Sequence, residues 1–321
     1  MPNLVGIGNS QVPTNAMLGG LAYQDSIGEI DIEKIKARTS DTATDVFVYD
    51  TRKDSDGGAW RHRTQNTSWY NEGVSATRGA RKEFPAVAVI VAEQNFITIY
   101  DGDDPNLSMW MVFEANTDSQ DLFINDSSST LTSIAALNGR IFVGSTRTST
   151  TGNITGIDFI GDRGGMVYTS SSDIRTYNGG VGQRNDGLGN TASTSNWFTS
   201  GAIVNRNVND VAMTVLPNAP IDASTGLPVP TIAVATDGGT SIIKDNGTIS
   251  DLTPGGGVEM NSVSFDENNN LVMGRNNFIL YRSDHSHYLS NQVDNGYTVN
   301  NRKTSVPSVG EDSSGSTSFT D

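Results

Sequence analysis

Phe84-Pro-Ala-Val-Ala-Val-Ile-Val-Ala-Glu93, Gln94-Asn95, Phe96-Ile-Thr-Ile-Tyr100, Asp101-Gly-Asp-Asp-Pro105 and Met109-Trp-Met-Val-Phe113 follow one another with no helical pattern between them. β-Branched and aromatic runs bounded by Asn, Asp, Gly and Pro read as short antiparallel strands joined by tight turns. The stretch therefore predicts a meander, and it sets the fold class as all-β.

The same order recurs downstream at a spacing of roughly 40 residues, the period of a propeller or similar array. A second unit joins Thr132-Ser-Ile-Ala-Ala-Leu137 to Arg140-Ile-Phe-Val-Gly144 through Asn138-Gly139, the strongest hairpin signal in the chain, and adds strands at 165–169 and 174–177. A third places strands at 208–216, 231–236, 240–243 and 248–249 around a Pro-rich loop from Pro217 to Pro230. A fourth runs through Met260–Phe265, Leu271–Met273 and Phe278–Arg282. Four such units resemble β-propeller blades. Either segments 45–70 and 178–207 supply further blades, or the ring is incomplete. Asp45–Asp50 with the turn Asp54-Ser-Asp-Gly-Gly58 and Trp60 reads as a first hairpin.

Outside this body, spanning 41–302, residues 1–40 are broken by Gly6, Gly8, Pro13, Gly19 and Gly20 and read as an extended assembly arm that meets another chain. Within it, Ile27-Gly-Glu-Ile-Asp-Ile-Glu-Lys-Ile-Lys36 supports two readings. Ser26 with Glu29 resembles a helical capping box, while Ile30 and Ile32 alternate as in a strand. Residues 303–321 have the composition of a flexible Ser/Gly-rich linker.

A net charge of -15 disfavours nucleic acid and anionic membrane surfaces as partners. No cysteine is present, which excludes disulfides, Cys-ligated metals and thiol chemistry and suits assembly in a reducing cytoplasm. The first residues lack a signal-peptide pattern, and no run of about 18 apolar residues occurs, so membrane insertion is not expected.

Candidate chemistry is sparse. His285 and His287, two apart, could hold a metal only with a third ligand such as Asp284. The acidic turns Asp54–Gly58, Asp101–Asp104, Gly161–Gly165 and Asp237–Gly239 could gather Ca²⁺, but none has EF-hand spacing, and Asp with Gly is what hairpin turns require. Two of them loosely resemble the structural Asp-box of sialidase-type propellers, through Asp56, Gly58 and Trp60 and through Asp237, Gly239 and Ser241. No paired carboxylates beside a nucleophile or arginine cluster stand out, so neither catalysis nor a cofactor is expected. Basic charge does concentrate at Arg52, Arg61, Arg63, Arg78, Arg81 and Lys82, interleaved with Trp60, Trp69 and Tyr70. Such a set could bind a glycan by stacking, or an acidic partner surface, or simply snorkel over a sheet.

Residues Val46–Arg61, Thr67–Glu72, Thr77–Glu93 and Ile99–Phe113 resemble the N-terminal region of virion structural proteins of cyanophages and other marine tailed phages, strongly up to about residue 115 and more loosely beyond. The resemblance implies a tail, fibre or appendage component with no catalytic residues, located in the virion, homo-oligomeric, and bound to other virion proteins such as tail or portal components. A module that binds host receptors or surface glycans is the alternative. A sialidase-type propeller hydrolase is the third reading.

Overall fold

The computed structural model describes residues 43–94, 96–114, 129–147, 153–168, 174–192, 201–253, 259–275 and 279–283. The arm at 1–40, the linker at 303–321, Trp197, and Asp284 with His285 and His287 lie outside the described residues.

The chain is all-β and forms four antiparallel sheets in sequence order. The first contains β1 (Asp45–Asp50), β2 (Val87–Glu93), β3 (Phe96–Asp101) and β4 (Met109–Glu114). The second is a six-stranded meander of β5 (Ser129–Leu137), β6 (Arg140–Arg147), β7 (Asn153–Asp158), β8 (Arg163–Tyr168), β9 (Ile174–Tyr177) and β10 (Asn190–Ala192). The third holds β11 (Val208–Thr214), β12 (Thr231–Thr236), β13 (Gly239–Ile243) and β14 (Ile249–Leu252). The fourth holds β15 (Ser262–Phe265), β16 (Leu271–Arg275) and β17 (Ile279–Ser283).

Each sheet is an uninterrupted meander, and the first strands pack on one another in series: β1 on β5, β5 on β11, β11 on β15. This is the succession of blades in a propeller-like body. Side-chain alternation gives each sheet a face for each neighbour. Ile90, Ile97, Ile99 and Phe113 of the first sheet meet Leu131, Ile134, Ile141 and Ile157 of the second. Phe142, Ile154 and Val167 of the second meet Val208, Val211, Ile232 and Val234 of the third. Ala212, Ala233, Ala235 and Ile242 of the third meet Val263, Phe265, Leu271 and Met273 of the fourth.

Asn138 and Gly139 both adopt positive φ, 54° and 72°, as a two-residue hairpin turn needs. Two expectations need correction. β1 does not form a hairpin with the Trp60 region: it pairs with β2 from Asp45↔Ala92 to Asp50↔Val87, and residues 51–86 are a long connection. Segments 45–70 and 178–207 do not make extra blades among the described residues, since β1 completes the first sheet and β10 extends the second.

Candidate functional site

The 51–86 connection carries every residue of the basic and aromatic set read from the sequence. It leaves β1 through a 3-10 turn, Thr51–Lys53, capped by the Asp50 carboxylate, which accepts from the Arg52 backbone N–H at 3.2 Å and from the Arg52 Nε at 2.7 Å. Gly58 then turns back at φ 80°, where a Cβ would stand 2.9 Å from the Thr51 carbonyl oxygen, so only glycine fits. A second 3-10 segment, Ala59–Arg63, drives Trp60 into the interior.

Asp54 anchors this arrangement. One oxygen accepts from the Tyr49 hydroxyl at 2.6 Å and from Trp60 Nε1 at 2.7 Å, and the other accepts from the Asn138 backbone N–H at 2.8 Å. The Gly139 N–H donates to the Tyr49 hydroxyl at 2.7 Å. Asn138 accepts from the Ser55 N–H at 2.9 Å and donates to the Pro228 carbonyl at 3.0 Å. One turn of the second sheet is thereby fixed to the connection of the first and the Pro-rich loop of the third. Burial raises the Asp54 carboxyl to about 6, against the lowering effect of its donors.

Behind Asp54 the aromatic rings interlock. Phe84 meets Tyr49, Trp60, Trp110 and Phe159 at centroid distances of 5.8, 5.2, 4.8 and 4.9 Å. Trp69 meets Trp110 edge-on at 5.5 Å and donates its ring N–H to the Phe159 carbonyl at 2.9 Å. Offset and edge contacts of this kind add to the burial they bring.

Two arginines are buried beside the rings. Arg78 lies 4.6 Å over the Trp110 ring and donates to the carbonyls of Trp110 at 2.9 Å, Arg81 at 2.7 Å and Lys82 at 3.0 Å; desolvation lowers it to about 10, so it stays cationic. Arg184, from the 178–189 loop, grips Glu72 with both terminal nitrogens at 2.7 and 3.1 Å and donates to the Val112 and Thr77 carbonyls at 2.6 and 2.7 Å.

The remaining arginines of the set are also engaged, while Lys82 is exposed. Arg61 donates to the Phe84 carbonyl at 3.2 Å, Arg63 to Asp56 at 3.0 Å and the Thr225 carbonyl at 3.2 Å, and Arg81 to Asp101 and Asp103 at 2.7 Å each. Arg52 pairs with Asp50 and is partly exposed; Tyr70 is half-buried against Trp69. The expectation of an aromatic stacking surface is thus corrected at Trp60 and Trp69, which are fully buried. Of the set, Trp60, Trp69 and Tyr70 pack between the first two sheets, whereas Arg52 and Arg81 pair with carboxylates of the first sheet and its turn.

The acidic turns serve the same internal ends. Asp103 accepts from the Ala86 and Val87 N–H groups at 2.7 and 3.1 Å. Asp162 accepts from the Ser68 N–H and hydroxyl at 2.6 and 2.8 Å and from the Val181 N–H at 2.9 Å. Asp237 accepts from the amides of Asn207 and Asn209 at 2.6 and 2.9 Å.

Sequence reading missed a second carboxylate group, where the first strands meet. Asp45 of β1 accepts from the Ile134 N–H of β5 at 2.7 Å, and desolvation raises it to about 6. Asp210 of β11 accepts from the Ser133 hydroxyl of β5 at 2.8 Å and the Val263 N–H of β15 at 2.8 Å, and desolvation raises it to about 7. An aspartate inside the apolar run Val208–Leu216 was the available signal. Arg140 and Arg163, both on Asp158 and Asp222, form another missed network: Asp158 and Arg163 face each other across one hairpin, but Asp222 lies 82 and 59 positions from the two arginines, so nothing local signals it.

What this arrangement does chemically is hold sheets together: its arginines face carboxylates or carbonyls, and its buried carboxylates face N–H and O–H donors. No family model and no curated protein matches the chain. Among solved structures, the Malassezia sympodialis allergen Mala s 1 is similar at TM-score 0.33 and 13% identity over 70% of this chain and 62% of the allergen. A gluconolactonase from Xanthomonas campestris is similar at TM-score 0.24 and 10% identity over 59% of this chain and 65% of the enzyme. The chain spans under two thirds of the length of either, and the fold rests on its own four sheets.

Proposed function

We propose that the chain is a structural component of a tailed-phage virion, a tail, fibre or appendage protein that acts through protein–protein assembly and catalyses no reaction. The observation that carries this reading is the internal engagement of the residues best suited to recognition: Trp60, Trp69, Arg78 and Arg184 are buried and bind neighbouring sheets. The similarity of residues 46–113 to virion proteins supports the same reading. A glycan-binding role would need aromatic residues other than Trp60 and Trp69.

Cross-linking mass spectrometry on purified particles tests the proposal. Links from Lys34, Lys36, Lys53 or Lys82 to a tail, portal or fibre protein are the expected result. Recovery of the protein only free in the lysate, without links to particle proteins, would overturn it.

A further inference from the structure

Among the described residues, Asn-Gly pairs occur at 138–139, 178–179 and 246–247, and the fold gives each a different setting. In such a pair the chain can close on itself, because glycine leaves its backbone nitrogen unhindered and lets the backbone rotate until that nitrogen reaches the asparagine Cγ. Asn138 is 1% exposed, its side chain spans from the Ser55 N–H to the Pro228 carbonyl, and the Gly139 N–H is held by the Tyr49 hydroxyl at 2.7 Å. Asn246 is exposed, but the Gly247 N–H closes its turn on the Lys244 carbonyl at 2.9 Å. Asn178 is also exposed, and the Gly179 N–H has no acceptor among the described residues. The Thr191 hydroxyl donates to Asn178 Oδ1 at 2.6 Å, on the oxygen where negative charge develops when Cγ is attacked. Asn246 Oδ1 has comparable donors in the Thr248 N–H and hydroxyl, at 3.0 and 2.7 Å, so the engaged nitrogen of Gly247 is what separates the two exposed pairs.

We propose that Asn178-Gly179 is a self-modifying site, at which the chain converts Asn178 to aspartate or isoaspartate without an enzyme, while the fold protects the same pair at Asn138-Gly139. The Gly179 nitrogen gives its proton to solvent hydroxide and bonds to Asn178 Cγ; the Cγ–Nδ2 bond breaks, and Nδ2 takes a proton and leaves as ammonia. Water then opens the cyclic imide at either carbonyl, so water is consumed, ammonia is released, and no oxidant or metal takes part. Asn178 follows β9 and stands at the mouth of the 178–189 loop, its N–H donating to the Gly189 carbonyl and its Nδ2 to the Leu188 carbonyl, each at 3.0 Å. The Leu188 bond is neutral and solvent-exposed, so it opens readily. An ionised aspartate cannot donate to Leu188, and isoaspartate adds a methylene to the backbone at this point. Either product loosens the base of the loop that seats Arg184 against Glu72, Thr77 and Val112. The inference does not depend on the virion reading.

The test uses the full, unmodified chain. It is held folded in ¹⁸O-water at mildly alkaline pH, sampled over time, digested and read by mass spectrometry, because opening of the imide in that water places the heavy oxygen in the new carboxyl group. Label at position 178 should accumulate at least about tenfold faster than at 138, whose reaction waits for the buried turn to open, and faster than at 246. In urea the three rates should converge, since the unfolded chain gives each pair the same freedom. Label at 178 no faster than at 138 or at 246 in the folded chain would overturn the proposal, as would rates that keep the same order and spread in urea. Aged and fresh chains are then compared by limited trypsin digestion. Faster nicking after Arg184, 1% exposed in the intact fold, is expected in the aged chains, and equal nicking would overturn the loosening of the loop.

Discussion

The junction between the first and second sheets and the junction between the third and fourth do the same job with different chemistry. The first is filled by the 51–86 connection, with three tryptophans, Phe84 and Phe159, two buried arginines and Asp54. The second is a mainly apolar contact of alanines, Ile242, Val263, Phe265, Leu271 and Met273, with one buried carboxylate, Asp210, and neutral hydrogen bonds from Asn209 to the Met260 carbonyl and from Thr214 to Asn269. A blade-to-blade contact with a single buried carboxylate and, among the described residues, no buried arginine thus holds the third and fourth sheets together. The polar groups of the first junction therefore fix geometry rather than supply adhesion, since each buried charge is useful only while its partners stay in place.

The largest effect is expected from Phe84→Ala, which removes a ring touching four others and should cost about 3–5 kcal/mol. A shift in the urea midpoint with an unchanged slope would measure it. A loss below about 1 kcal/mol would mean that the first junction is no better packed than a surface contact. Arg184→Ala comes next, because it strands Glu72 and two carbonyls and should also cost about 3–5 kcal/mol. Arg184→Met, which keeps the stem over Phe113, should recover part of that loss if packing contributes.

The junction of the third and fourth sheets should show its buried carboxyl in pH dependence. Asp210 holds its proton in the folded chain up to about 7, whereas its unfolded value is 3.8. Between those limits the folded state binds more protons, so this group's contribution is full below about 4 and is lost as pH rises through 7. Asp210→Asn should flatten the stability profile across that window, read from chemical denaturation at several pH values. A profile as steep as that of the unmodified chain would show that Asp210 is solvated. The smallest effect is expected from Arg52→Ala: its side chain is 45% exposed, and the loss should stay within about 1 kcal/mol in the same denaturation assay.

How much of this could be read in the sequence follows from the range of the interactions involved. β2, β3 and β4, the Asn138-Gly139 turn and the strands of the third and fourth units were legible because their signals are local. β7 was not: Asn153-Ile-Thr-Gly-Ile-Asp158 offers little apolar periodicity, and its place is set by pairing with β6 and β8. The region holding the candidate site was legible as a concentration of arginine and tryptophan. Its direction was not, because inward or outward placement depends on partners such as Phe159, 90 positions from Trp69, and Glu72, 112 positions from Arg184. Asp210 illustrates the same limit. A register shift between Val208 and Asp210 turns its carboxylate toward β5 and β15.

Tryptophan quenching tests most directly whether the basic and aromatic set is internal architecture. With Trp197→Phe, only Trp60, Trp69 and Trp110 report, all 0–1% exposed. Blue-shifted emission, strong protection from iodide and no response to oligosaccharides are the expected results. Iodide quenching close to that of free tryptophan, or an oligosaccharide-dependent shift, would place these rings on a recognition surface and contradict the assignment.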